Sequence, residues 1–260
     1  MSRKKIAALI MGALLAVGII GGSLAYFTSQ DIVPNKFATT GNEENDGSDI
    51  KIVENFDEEK ANKVEPGTTI TKHVQVKNTD EYNQLIKVKF EVRLLDKNGN
   101  ELPKDAEVST YKYQGTTETG AMAKVATKIK AKDVKDNLIA VFVNDNITNS
   151  LPSSTPNKWY NKNAQNTLDC EYYYLGYVEP GKFTEDILQS IQLKPEAGIE
   201  YKGIKFEVKV IADGVQASNN AYISEFGVNE STELSDALES AQNTNGSVEK
   251  EPDIKDTTQA

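Results

Sequence analysis

The run Ile86-Lys87-Val88-Lys89-Phe90-Glu91-Val92-Arg93-Leu94 alternates apolar and charged side chains without a break. Successive side chains of a strand point to opposite faces, so this pattern sends Ile86, Val88, Phe90, Val92 and Leu94 into a core and leaves the charges in water. Upstream, Ile70, Val74 and Val76 alternate with Thr69, Thr71, His73, Gln75 and Lys77. Downstream, Ile204, Phe206, Val208 and Val210 alternate with Lys205, Glu207 and Lys209, and Phe183, Ile187, Ile191 and Leu193 mark a further strand face. Ile139-Ala140-Val141-Phe142-Val143 is apolar throughout and reads as a strand buried on both sides. Val64-Glu65-Pro66-Gly67 returns as Val178-Glu179-Pro180-Gly181, each ahead of an alternating segment. Proline presets φ at the second position of a turn and glycine accepts positive φ at the third, so each is a type II turn. The reading is an all-β fold: an antiparallel β-sandwich of the jelly-roll or immunoglobulin-like kind.

The periodicity loosens over about 95–165, which reads as a mixed insertion. It holds a Thr-rich stretch from Gly115 to Gly120, a helix around Ala121 to Lys135, and a Ser/Pro/Asn-rich loop from Asn144 to Gln165. Residues 229–260 carry eight acidic and two basic side chains and few large apolar ones beyond Leu234 and Leu238. Such a composition buries too little to offset the entropy of ordering, so a disordered acidic tail is expected, with room for a short helix near Leu234 to Ala241.

At the other end, Arg3, Lys4 and Lys5 precede an uncharged apolar run from Ile6 to Ile20, followed by Gly21-Gly22-Ser23-Leu24-Ala25-Tyr26. A basic n-region, an apolar h-region and small residues at Ser23 and Ala25 describe a secretory signal peptide over 1–25, with Tyr26 opening the mature chain and 26–228 forming the sandwich domain. An uncleaved anchor is the alternative, since Ile6 to Phe27 is long enough to span a bilayer as a helix. Cleavage removes three basic residues and takes the formal net charge from −10 to −13. That balance opposes nucleic acid and anionic membrane surfaces as partners. Cys170 is the single cysteine, so no internal disulfide framework is available to an exported chain.

Little in the chain reads as chemistry. His73 is the one histidine, so an H-E-x-x-H zinc site, which needs two, cannot form. No G-x-S-x-G elbow or phosphate-cradling loop stands out, and Cys170 reads as a small hydrophobe in line with Leu168, Tyr172 and Tyr174, an intermolecular disulfide being the alternative. Tyr172, Tyr173, Tyr174 and Tyr177 read first as strand packing. Asp96, Asn98 and Asn100, with Glu107, have calcium-loop spacing, but Glu101 stands where the loop needs glycine, and Asn98-Gly99 after a strand favours a hairpin. No catalytic, cofactor or metal site is therefore assigned, and the chain is not read as an enzyme.

GGSLAYFTSQD at 21–31, KFATTG at 36–41, VEPGTTITKHVQVKNTD at 64–80 followed by IKVKFEVRL, and IADGVQASNNAY at 211–222 together resemble the TasA/camelysin family of secreted Gram-positive proteins. Within it they are most similar to the clostridial BsaA-type biofilm matrix proteins. The resemblance implies a jelly-roll-like sandwich, cleavage by a SipW-type signal peptidase, and self-assembly into extracellular matrix fibres, with minor matrix subunits as further partners. It also implies that the segment freed by cleavage, with Phe27, Ile32, Val33 and Phe37 as apolar anchors, inserts as a strand into a neighbouring subunit. Pairing within its own sheet is the alternative. Two rival functions stay open: a monomeric cell-surface adhesin using the insertion, and a camelysin-like metallopeptidase.

Overall fold

The computed structural model describes residues 28–33, 50–61, 64–116, 122–151 and 156–251. The strands are β1 (Thr28–Val33), β2 (Ile50–Phe56), β3 (Thr69–Asn78), β4 (Gln84–Leu95), β5 (Glu107–Thr116), β6 (Met122–Lys130), β7 (Leu138–Phe142), β8 (Ile147–Thr148), β9 (Trp159–Tyr160), β10 (Glu171–Tyr174), β11 (Leu188–Leu193) and β12 (Lys205–Gln216). Short helices stand at α1 (Glu58–Ala61), α2 (Ala131–Asp136), α3 (Tyr222–Glu225) and α4 (Glu233–Ala241). One sheet has six strands in the order β1-β12-β4-β10-β9-β8, a second has four in the order β2-β3-β11-β7, and β5 and β6 pair as a separate ribbon.

The alternating runs become the inner faces of a sandwich. Ile86, Val88, Phe90, Val92 and Leu94 of β4 and Phe206, Val208 and Val210 of β12 share one buried core with Ile70, Val74 and Val76 of β3 and Ile191 and Leu193 of β11. β4 and β12 pair antiparallel over their whole length, from Lys205 opposite Leu95 to Gln216 opposite Gln84. Both Pro-Gly turns form as read. Gly67 has φ 85° and Gly181 φ 77°, and Thr68 N–H donates to Glu65 O as Lys182 N–H does to Glu179 O. The turn around Asp96 is a hairpin, with Leu102 N–H donating to Leu94 O. Asp96 Oδ1 accepts from the amides of Asn98 and Asn100, so that carboxylate serves the turn.

Four expectations are corrected. The helix read around Ala121 to Lys135 is mostly β6, paired with β5 from Glu107 opposite Lys130; helix remains only at α2. Met122, Val125, Ala126 and Ile129 have helical spacing, but Val125, Thr127 and Ile129 also alternate with lysines, and these β-branched residues favour the strand that pairs with β5. β7 is not buried on both sides. It is an edge strand, with Leu138 and Phe142 inside and Ile139 and Val141 37% and 39% exposed. Phe183 does not share the face of Ile187, Ile191 and Leu193; it packs outside the four-stranded sheet with Val53 and Val248.

The largest correction concerns the tail. Over 229–251 it is part of the fold, while 252–260 lie outside the described residues. Thr232 caps α4 by accepting from Ser235 N–H. Leu238 and Ala241 then bury, with Tyr222, Phe226 and Val228, against Leu85, Tyr173 and Val215 on the outer face of the six-stranded sheet. Beyond the helix the chain crosses to the other sheet. Gly246 N–H donates to Tyr177 O, and Val248 and Phe183 exchange main-chain bonds. Gln75, fully buried, holds the end by donating to Glu249 O and accepting from Glu251 N–H. Few apolar side chains suffice because each enters a groove already built by the sheets.

The crossing needs glycine at one point. A Cβ on Gly176 would lie 2.7 Å from Gly246 Cα and 2.9 Å from Pro156 O, closer than such atoms approach. We expect Gly176→Ala to unseat the crossing and to speed hydrogen exchange at Gly246 and Val248, with the amides of β4 unchanged. Unaltered exchange at those two amides would show that the backbones can part without cost.

Candidate assembly site

β1 is the outermost strand of the six-stranded sheet and runs antiparallel to β12, with Thr28 opposite Val215 and Val33 opposite Val210. Of the anchors, Ile32 and Val33 therefore stand opposite Ile211 and Val210. Phe27 and Phe37, like the cleavage residues Ser23, Ala25 and Tyr26, lie outside the described residues. Within a single chain, then, this strand completes its own sheet. β1 also comes close to β2, the edge of the facing sheet, so the two strands close one flank of the sandwich.

On that flank the core contains a charge pair that the sequence reading passed over. Lys72 occupies an inward position between Ile70 and Val74, is fully buried, and donates from Nζ to Glu54 Oε1 at 2.9 Å. Its ammonium also lies 5.3 Å from the centre of the Phe56 ring, the residue opposite it on β2. Burial pushes the Lys72 pKa down by stripping water from the ammonium, and the Glu54 carboxylate opposes that. The signal was present in the sequence: a lysine at an even, inward position of a clean alternation. A slip of β2 by one residue would turn Glu54 outward and strand Lys72 in the core, so the pair specifies register.

Elsewhere the singled-out residues are engaged within the fold. His73 Nδ1 lies 2.5 Å from Asp186 Oδ2, while Asp186 Oδ1 accepts from the amides of Val74 and Leu188. Burial raises the Asp186 pKa, against the pull of His73 and those amides. Cys170 is buried, and its Sγ accepts from Asn163 Nδ2 at 3.1 Å. Tyr172 stacks on Phe142 with ring centres 5.3 Å apart, and Tyr174 packs on Trp159 at 4.9 Å. Burial holds the hydroxyls of both tyrosines well above their usual pKa. Among the described residues, no three His, Cys, Asp or Glu side chains converge as metal ligands. No described helix is long and apolar enough to cross a membrane.

Fold and site together define an all-β sandwich closed on one flank by its N-terminal edge strand. No family model matches this chain, and no curated protein does.

Proposed function

We propose that this chain is an exported structural subunit of the TasA/camelysin type, which polymerises into extracellular matrix fibres by exchange of its N-terminal strand after signal cleavage. The observation that carries this reading is the placement of β1: an outermost strand, beginning three residues after Ala25, held on β12 by main-chain pairing. Sixteen residues separate Val33 from Ile50. At full extension such a tether reaches about 55 Å, enough to carry β1 to the equivalent edge of a second copy. Exchange preserves the same hydrogen bonds while joining subunits head to tail, and a heterologous contact of that kind grows into an open filament when its rotation does not close a ring. Cleavage after Ala25 is the trigger in this scheme, because a chain still anchored by its apolar run cannot offer β1 freely.

N-terminal sequencing of secreted material is expected to begin at Tyr26; a product still carrying Arg3 to Lys5 would reject the export step. Purified mature protein is expected to form long filaments in negative stain without added ligand. Deleting 26–37 should give folded, β-rich monomers and no filaments, and Ile32→Asp with Val33→Asp should do the same, since these positions pair with the buried Ile211 and Val210 and a desolvated, unpaired carboxylate costs several kcal/mol. Normal filaments from either variant would overturn strand exchange. Ligand-binding monomers in place of filaments would favour the adhesin, and chelator-sensitive casein hydrolysis the metallopeptidase.

A further inference from the structure

We propose that copies of this chain associate end to end, the lysine face of the β5–β6 ribbon on one copy seating the acidic helix α4 of the next. β4 and β12 pair antiparallel along 12 residues each, about 36 Å of strand, and the two charged features stand at opposite ends of that pair. α4 packs on Leu85 and Val215, beside the end where Gln84 faces Gln216. The ribbon packs on the 3₁₀ turn Ile199–Tyr201, close to the other end, where Lys205 faces Leu95. From Val210 to Glu249 the sequence holds seven acidic residues and no lysine or arginine, whereas 107–130 holds four lysines against two acids.

The ribbon turns one face to the core and one to water. Val108 and Ile129 stand opposite one another and join the core. Opposed residues share a face, so Tyr113 with Lys124, Ser109 with Lys128 and Glu107 with Lys130 lie on the outer one. There Lys128 and Lys130, 65% and 57% exposed, both pair with Glu107, two ammonium groups on one carboxylate. Lys124 pairs with no carboxylate among the described residues; its ammonium lies 3.7 Å from the centre of the Tyr111 ring. Tyr113 is 45% exposed, with its ring centre 5.8 Å from that of Tyr111, so the face is an aromatic surface set among surplus positive charge.

On α4 the carboxylates face away from the protein. Ser235, Leu238 and Ala241 are its buried residues, and at about 100° per residue Glu233, Asp236 and Glu239 fall on the opposite side. All three are exposed, and none has an ion-pair partner among the described residues. The fold gains little from them. Like charges three apart are neighbours on a helix and repel, and α4 has no base in its last turn to offset Glu239 beside the negative end of the helix dipole. An acidic stripe without bases complements a lysine face with surplus charge, and because the two stand at opposite ends of one copy, the partner is a second copy. The contact is heterologous, so each added copy offers another ribbon or another α4 to the next. Strand exchange uses the β1 flank, a different surface. The role of this contact as a join along a fibre rests on the proposed function; the contact itself does not.

Carbodiimide, which condenses a lysine amine with a carboxylate in contact with it, tests the pairing on the 26–260 chain, which holds every described residue. Isotopically light and heavy copies are mixed, so that mass spectrometry tells links between copies from links within one. At low salt we expect Lys124, Lys128 or Lys130 joined to Glu233, Asp236 or Glu239 between copies, at least tenfold more often than Lys162, an exposed lysine outside the ribbon. Raising the salt from about 0.01 M to about 1 M, which shortens the Debye length from about 30 Å to about 3 Å, should lower that yield at least tenfold. Links to α4 no more frequent than those from Lys162, or found only within a copy, would overturn the proposal. A charge exchange adds a second measurement, with Lys124→Glu and Lys128→Glu in one variant and Glu233→Lys and Asp236→Lys in another. Mixed, the two should link positions 124 and 128 of one to 233 and 236 of the other, amine and carboxylate exchanged. All four sites are exposed, and circular dichroism reports the fold. Folded variants that form no such link would reject the contact. Ribbon lysines that join added polyglutamate and never α4 would assign the ribbon to an acidic polymer and overturn the second copy. Filaments without these links would leave the fibre reading standing and remove this contact; links without filaments would do the reverse.

Discussion

Truncation after Gly227 is expected to lower the melting temperature of the chain that begins at Tyr26 by about 10–20 °C. The segment removed buries Leu238 and Ala241 on the outer face of one sheet and Val248 on the outer face of the other. It also takes away the acceptor for the Tyr174 hydroxyl, Gly246 O at 2.6 Å, and the donor to the buried Gln75 Oε1, Glu251 N–H, while Gln75 Nε2 keeps Thr184 O. Burying a leucine contributes about 1.5–3 kcal/mol, and each polar group left buried without a partner costs about 1–3 kcal/mol. The total is therefore about 5 kcal/mol, and a domain of this size shifts by about 2–4 °C per kcal/mol. Calorimetry on the 26–227 fragment beside the 26–260 chain measures it. Leu238→Ala alone should account for about 2–5 kcal/mol as a cavity at a fully buried site. A fragment that melts with the 26–260 chain would return 229–251 to the status of a dispensable tail.

The second large effect is expected at Glu54. Replacing it with leucine leaves the Lys72 ammonium in the core without its carboxylate, at a cost of about 3–5 kcal/mol. Adding Lys72→Met should restore wild-type stability or exceed it, because well-packed apolar side chains often outperform a buried ion pair. Urea unfolding of the two single variants and the double variant separates the coupling from the packing. If Glu54→Leu is as stable as wild type, Lys72 reaches water by another route and the pair does not specify register. If the double variant is stable but shows heterogeneous β2 resonances, the pair's contribution is to uniqueness of pairing rather than to stability.

What the sequence by itself determined is the strand inventory that makes the sandwich. A period of two fixes which side chains share a face, and β3 and β4 follow their runs to within two residues. β12, by contrast, continues past Val210 to Gln216, and the outer-face charges Lys87 and Glu207, expected in water, are buried. The Pro-Gly turns and the Asp96 hairpin were legible for the same reason: their chemistry is local, set by φ at a glycine or by a side chain reaching two to four residues along the chain. The acidic charge and the N-terminal apolar run were legible too, as composition.

Tertiary structure alone decided the features that depend on what lies opposite. An apolar pentapeptide such as Leu138–Phe142 suits a strand covered on both faces and one covered on a single face equally, and only the packing, in which the described residues leave the outer face of β7 open, exposes Ile139 and Val141. The segment 229–251 looked too polar to fold because composition counts what a segment brings. Its burial depends on grooves supplied by Leu85, Tyr173, Val215 and Phe183, far away in the chain. Lys72 carried a signal in its inward position, yet its partner Glu54 became visible only once β2 was laid beside β3 in register. Alternation says which way a side chain points. The free energy of that choice is set by the surface it meets, and for β7, the acidic segment and Lys72 that surface comes from distant parts of the chain.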